Sequence, residues 1–297
     1  MTAVTESPPE PAPSETAAPA DPSSQGLDSG LAGLLGSGDH KTIGRLWIGF
    51  SLLFLLVGLV CGTLLSVESI SPDDLDVLGT DAYFQVFTLE RVAGVFLFGV
   101  PLFVGLATYV VPLQVGSPAL AFPRAGAAAF WTWLIAGGLV LASYAINGGP
   151  DGGDADGVQL FLVAFAVLVA ALAVALICIV TTVMTLRTRG MTLDRVPLFS
   201  WSMLVAGWVW LLSLPVLVGN LLLIELDYEY GQVFFGVPGD AYLQLAWVFG
   251  PPQLSLLAVP ALGVCGEIIP VSSQSRQRLR GVLLVALAVL GTLGFGA

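Results

Sequence analysis

Seven long apolar segments, separated by short polar stretches, make up nearly all of the chain after its first forty residues. Most of them reach the roughly 20 residues that a helix needs to cross a bilayer. Charged residues are only 10% of the chain, against about a quarter in soluble domains. The pattern predicts an all-α integral membrane fold, a seven-span helix bundle with spans near 43–66, 83–111, 126–147, 158–186, 199–224, 240–264 and 280–297.

The charges between the spans separate by sign. The loops at one end of the bundle contain nine of the ten Lys and Arg residues: Lys41, Arg45, Arg124, Arg187, Arg189, Arg195, Arg276, Arg278 and Arg280. Because basic loops stay cytoplasmic, we expect a multi-pass protein of a prokaryotic plasma membrane, with its N-terminus inside and Ala297 outside. The opposite loops are acidic. They predict either a solvated surface or a docking surface for a basic soluble partner, and no nucleic-acid partner.

Residues 1–38 differ from the rest. They are rich in Pro, Ala and Ser and contain five acids but no Lys or Arg. Such a segment cannot bury a core, so we predict a disordered acidic cytoplasmic tail, followed by a membrane domain over 39–297.

Two features within the spans are candidates for chemistry. Glu90 and Arg91 are the charged residues that lie well inside a span, which suggests a functional site unless both side chains reach the outer interface. Adjacent helix positions point about 100° apart, so we expect no direct pairing between them. The string Gly250-Pro251-Pro252 predicts a helix break in the sixth span. Gly58 and Gly62 predict close helix contact in the first.

Several short strings, in order and at consistent spacing, resemble subunit I of heme-copper oxidases, the core of cytochrome c oxidase. They are DHKTIG at 39–44, VPLQVG at 111–116, AFPR at 121–124, GMT at 190–192, WVFG at 247–250 and GEIIPV at 266–271. The resemblance covers that family's first seven helices. It implies a respiratory membrane complex with further subunits, heme and copper as cofactors, and oxygen reduction coupled to proton pumping. His40, the chain's one histidine, belongs to the first string, and we expect it at the cytoplasmic interface.

At the family's functional positions the residues differ. Glu90 stands where the resemblance places the histidine ligand of the low-spin heme, and Pro251 where it places a copper ligand. Gln253 replaces a proton-carrying glutamate, and Ser255 replaces the tyrosine of the copper site. A carboxylate is a poor low-spin heme ligand. We therefore predict no heme or copper bound by this chain alone, no confident catalytic residue, and an open question of whether it is an enzyme.

Three functions remain open. The first is a degenerate, structural or assembly subunit of a respiratory complex, in effect a pseudoenzyme. The second is one half of a split terminal oxidase, completed by a partner chain that supplies the C-terminal half. The third is a transporter or ion pathway in which Glu90, Arg91 and Gln253 line the path.

Overall fold

The structure is a computed structural model that describes residues 33, 36–70, 78–231, 234, 241–277 and 279–295, with the backbone alone for 251–256 and 295. Residues 38–297 form one compact unit. The predicted tail over 1–38 lies almost entirely outside the described residues.

The described part of the unit is helical. Its helices, in chain order, are α1 (His40–Ile70), α2 (Thr80–Val92), a π-helix (Ala93–Gly99), α3 (Val100–Val115), α4 (Pro123–Ala145), α5 (Ala155–Thr185), a 3₁₀ turn (Leu193–Arg195), α6 (Leu198–Tyr230), α7 (Ala241–Leu245), a second 3₁₀ turn (Ala246–Phe249), α8 (Pro251–Ser272) and α9 (Arg280–Phe295).

Within the described residues, five helical segments are long and apolar enough to cross a membrane, so the count of seven is not confirmed. They are α1, the continuous run Thr80–Val115, α4, α5 and α6. The predicted sixth span, 240–264, is not one helix: the chain makes two short turns and starts again at Pro251. Proline has no N–H and suits the first position of a helix. Helix α9 is an apolar helix described over 16 residues.

Helix α5 forms the centre of the bundle and α1 lies at its edge. In the most apolar 18-residue stretch of each helix, 67% of the α5 stretch is buried, against 17% of the α1 stretch. Helices α4 and α6 pack on α5, α1 packs on α3, and α8 packs on α6. Gly263 of α8 lies against Ser202 of α6, where a Cβ would overlap the hydroxyl. The bundle therefore depends on close backbone approach as well as on apolar burial.

The π-helix in the second span leaves one carbonyl without a backbone donor. In this wider turn each carbonyl accepts from the residue five positions on, as Val95 does from Val100. The partner of Phe96 would be Pro101, which has no N–H. The indole N–H of Trp133 donates to this carbonyl instead, at 3.1 Å. A bond from α4 thus fixes the turn that follows Glu90 and Arg91.

Candidate functional site

Glu90 and Arg91 form an ion pair near the end of α2. The Nε of Arg91 lies 3.6 Å from Oε2 of Glu90, and the guanidinium stands 5.1 Å from the ring centre of Phe87. The expectation that the two would not pair was wrong. It considered only the directions of the Cα–Cβ bonds, whereas both side chains are long enough to bend toward each other.

The pair lies close to one end of the bundle. The Tyr144 hydroxyl, one residue before α4 ends, donates to Oγ1 of Thr88 at 3.2 Å. Glu90 comes two residues after Thr88, about 3 Å further along the helix. Its side chain is 37% exposed and that of Arg91 43%. This shallow position favours side chains that reach the interface over charges held at mid-membrane.

Polar contacts hold α2 in place at this end. The Thr88 hydroxyl donates to the Gln85 carbonyl at 3.1 Å, and the Gln85 side chain accepts from the Gly149 N–H at 3.0 Å. With the Tyr144–Thr88 bond, they join α2 to α4 and to the loop after it. These residues were not predicted, because no pattern in the sequence relates positions about 60 residues apart.

The break before α8 lies near the charged pair. Gly250 has extended backbone (φ −84, ψ −169) and caps α8 without a side-chain bond. The rings of Phe87 and Tyr242 are 5.9 Å apart, and Tyr242 stacks on Phe249 at 6.3 Å. Aromatic contacts therefore connect the Glu90 region to the residue preceding Gly250. The side chains of Pro251, Gln253 and Ser255 lie outside the described residues, so their roles stay predictions.

The residues available as donors fit a low-spin heme or a copper ion poorly. Glu90 shares its charge with Arg91, and a proline has no donor at all. Among the described residues no group of three or more His, Cys, Asp or Glu could hold a metal ion. Cys61, Cys178 and Cys265 are free thiols, on three different helices.

The His40 side chain is buried at the start of the first helix. It opens α1 and is 7% exposed, with Nδ1 3.6 Å from an Asp39 carboxylate oxygen. Among the described residues its Nε2 has no hydrogen-bond partner. Asp39 accepts from the backbone N–H of Thr42 at 3.2 Å, as helix-capping acids do. The string around His40 therefore starts a helix.

At the opposite end, the predicted cytoplasmic side, a polar cluster joins three helices. The Glu267 carboxylate accepts from the backbone N–H groups of Leu198 and Phe199, the first two residues of α6. Arg280 donates to the carbonyls of Asp194 and Val196. A carboxylate at a helix N-terminus is favourable, so α8 and α9 hold the start of α6. No motif in the sequence marks these residues.

The acids of the predicted outer face also have structural partners. Asp154 caps α5 by accepting from Gly157 N–H at 2.7 Å. Asp151 accepts from the backbone N–H groups of Ala241 and Tyr242, both at 2.9 Å. Because these carboxylates are engaged with the backbone, the acidic face is partly a set of helix caps.

A family model described as cytochrome c and quinol oxidase polypeptide I matches residues 42–297. A protein of Streptomyces avermitilis, named a cytochrome c oxidase subunit 1-beta, is 33% identical over 80% of this chain and 45% of its own length. Cytochrome c oxidase subunit 1 of Bacillus subtilis is 30% identical over 86% of the chain and 44% of its own length. Cytochrome c oxidase subunit 1 of Corynebacterium efficiens is 31% identical over 85% of the chain and 46% of its own length. The chain thus spans less than half the length of these curated relatives.

Proposed function

The chain belongs to the cytochrome c and quinol oxidase polypeptide I family, and on that basis we propose that it is a subunit-I-like membrane protein of a respiratory complex that does not itself reduce oxygen. Its role in this proposal is structural or assembly-related, with other membrane subunits as partners. The observation that carries the proposal is the ion pair between Glu90 and Arg91. By resemblance, Glu90 stands at the position of the family's heme ligand.

An ion pair at this position disfavours metal binding for two reasons. Ligation of iron would require the carboxylate to give up its interaction with the guanidinium. The carboxylate is also a weak ligand for low-spin heme compared with imidazole. Pro251 adds to this, because it replaces the copper ligand with a residue that has no side-chain donor. The chain retains the packed bundle and the break before α8, and these features are what a structural subunit requires.

A reduced-minus-oxidised spectrum of the complete chain, purified from its own membranes, tests the proposal. We expect no heme band from the chain alone, and recovery of heme-containing subunits when mild detergent preserves the complex. A heme band retained by the isolated chain and lost in Glu90→Ala would overturn it. Asp81→Ala, at the start of the same helix, is the matched control because it removes a carboxylate away from the pair.

The second candidate is one half of a divided terminal oxidase. Membership of the family supports it, whereas Glu90 and Pro251 do not. Coexpression with a chain corresponding to the remaining part of the relatives would decide. Oxygen consumption by the pair, absent from either chain alone, would favour this candidate over a structural role.

The remaining proposals concern transport and a soluble partner. The shallow position of Glu90 offers little support for a continuous ion path, and a flux in liposomes that Glu90→Ala abolishes would restore that possibility. A basic soluble partner at the outer face would compete with the capping roles of Asp151 and Asp154. Salt-sensitive binding of a basic protein to the reconstituted chain would support this partner.

A further inference from the structure

The imidazole of His40 is enclosed with one of its two nitrogens unused. The residue is 7% exposed, and its Nδ1 lies 3.6 Å from the Asp39 carboxylate. A neutral imidazole carries its proton on one nitrogen and accepts a hydrogen bond through the other. The carboxylate favours the proton on Nδ1, which leaves Nε2 as an acceptor. Nε2 is buried and, within the described part of the chain, has no hydrogen-bond partner.

The backbone on both sides of His40 contacts other helices. A Cβ placed on Gly38 would lie 3.6 Å from Cβ of Pro123, the first residue of α4. A Cβ placed on Gly44 would lie 2.9 Å from the backbone nitrogen of Tyr109 in α3. His40 therefore lies where α1 meets α3 and α4, and this chain itself encloses the ring, whatever else contacts the bundle.

The charges near the ring do not favour a second proton on it. Asp39 and Lys41 act on it electrostatically and with opposite sign. Helix α4 contributes Arg124 in its first turn, and the titratable side chain of α3 is Tyr109, which has the Arg45 guanidinium 5.7 Å from its ring centre. Three of these groups are cations and one is an acid, so an imidazolium would depend on Asp39 alone.

The Asp39 carboxylate is already used as a helix cap. It accepts from the backbone N–H of Thr42 at 3.2 Å and from the Thr42 hydroxyl at 3.1 Å, and the Asp39 side chain is 50% exposed. A half-exposed ion pair contributes little, whereas a buried N–H on a charged ring without an acceptor is costly. His40 therefore takes up a second proton only when its ring leaves the enclosure and Nε2 reaches water.

We propose that the start of α1, at the predicted cytoplasmic end, is an acid-sensitive switch in which protonation of His40 releases the ring and opens the first turn of the helix. The released imidazolium keeps Asp39 as its partner, and the carboxylate then gives up the bonds that cap Thr42. An exposed histidine has an ordinary pKa of about 6.5. Because only the open form binds the proton, its population rises about tenfold between about pH 7.5 and pH 5.5.

Hydrogen exchange of the complete chain in lipid nanodiscs, resolved to single amides, tests the proposal. The reporters are the amides of Thr42 and Ile43, which donate to the side chain and the carbonyl of Asp39. After correction for the intrinsic effect of pH, we expect their protection to fall about tenfold from about pH 7.5 to pH 5.5. In His40→Gln, which cannot take up this proton, protection should change by less than about twofold.

Two controls separate the switch from other effects of acid. The Gly126 amide donates to the Phe122 carbonyl at the start of α4, and its protection should not change with pH in either chain. Asp39→Asn should lower the protection of the Thr42 amide at every pH, because it weakens the cap, but should keep the tenfold pH response because His40 still titrates.

The single histidine gives one imidazole signal in nitrogen nuclear magnetic resonance, which follows the proton directly. We expect a neutral ring with its proton on Nδ1 at neutral pH, and an imidazolium that appears over the same pH range in which the Thr42 amide loses protection. An imidazolium that forms while the Thr42 amide stays protected would overturn the proposal. An equal pH response in His40→Gln, or a response that the Gly126 amide shares, would overturn it as well.

Discussion

Replacing Trp133 by Phe should destabilise the second span, because Pro101 has no N–H that could replace the lost indole donor. The indole N–H of Trp133 is the donor to the Phe96 carbonyl, which Pro101 cannot serve in the π register. Trp133 is fully buried, so its loss leaves this carbonyl without a donor. Restoring an N–H at position 101 should reduce that cost.

The expected coupling between the two positions is about 1 kcal/mol. A buried acceptor left without a partner costs about 1–3 kcal/mol in soluble proteins, but hydrogen bonds between membrane helices average roughly 0.6 and reach about 1.7 kcal/mol. Trp133→Phe also loses apolar contacts, and this loss is the same whether position 101 is proline or alanine. A double-mutant cycle with Pro101→Ala isolates the hydrogen-bond contribution, which corresponds to roughly a fivefold change in the unfolding equilibrium.

The assay is unfolding of the reconstituted chain in mixed micelles, followed by far-ultraviolet circular dichroism so that loss of a tryptophan does not affect the signal. Trp131→Phe is a matched control because its indole nitrogen, also buried, has no hydrogen-bond partner among the described residues. Trp131→Phe should lower the free energy of unfolding by the same amount whether position 101 is proline or alanine. If Trp133→Phe also costs the same in both backgrounds, to within about 0.5 kcal/mol, the Pro101 explanation of the bond is refuted.

Three further predictions concern packing, capping and charge. Gly263→Ala should lower the free energy of unfolding by about 1–3 kcal/mol, because the new Cβ would overlap the Ser202 hydroxyl. Gly281→Ala, in open space, should change it by no more than about 0.5 kcal/mol in the same unfolding assay. Glu267→Ala should destabilise the chain by about 1 kcal/mol, as loss of a helix cap does; an unchanged midpoint would contradict that role. The Thr192 hydroxyl lowers the pKa of Asp194, so the resulting stabilisation is lost as pH falls through that lowered pKa, and Thr192→Val should raise the pKa in a nuclear magnetic resonance titration.

The apolar pattern agrees closely with five of the described helical segments, whereas the segment predicted as the sixth span contains a helix break. The span predicted over 126–147 corresponds to the helix Pro123–Ala145. The apolar run sets its extent, and the proline suits its first position. Over 240–264 the same reasoning treats one apolar run as one helix. The chain instead starts a new helix at Pro251 and continues to Ser272, because hydropathy does not register missing N–H groups. The string Gly250-Pro251-Pro252 indicated the break but not its effect on the boundaries.

The candidate site is less predictable because its contacts join distant parts of the chain. Composition singles out Glu90 and Arg91, yet their pairing depends on how two long side chains bend. The bond from Trp133 to the π-helix spans 37 positions, and that from Glu267 to α6 spans 69. Contacts of this kind are fixed by tertiary packing, for which a single sequence provides no periodicity.

The residues at the two positions that the family resemblance assigns to metal ligands share a physical property that is consistent with the proposed scaffold role. A histidine left without its metal would bring unpaired nitrogens into an apolar bundle, at the cost of an unsatisfied polar group. Glu90 avoids this through its pair with Arg91. Pro251 avoids it by standing at the first position of α8, where a helix needs no N–H donor. Both residues are therefore compatible with the proposed scaffold role.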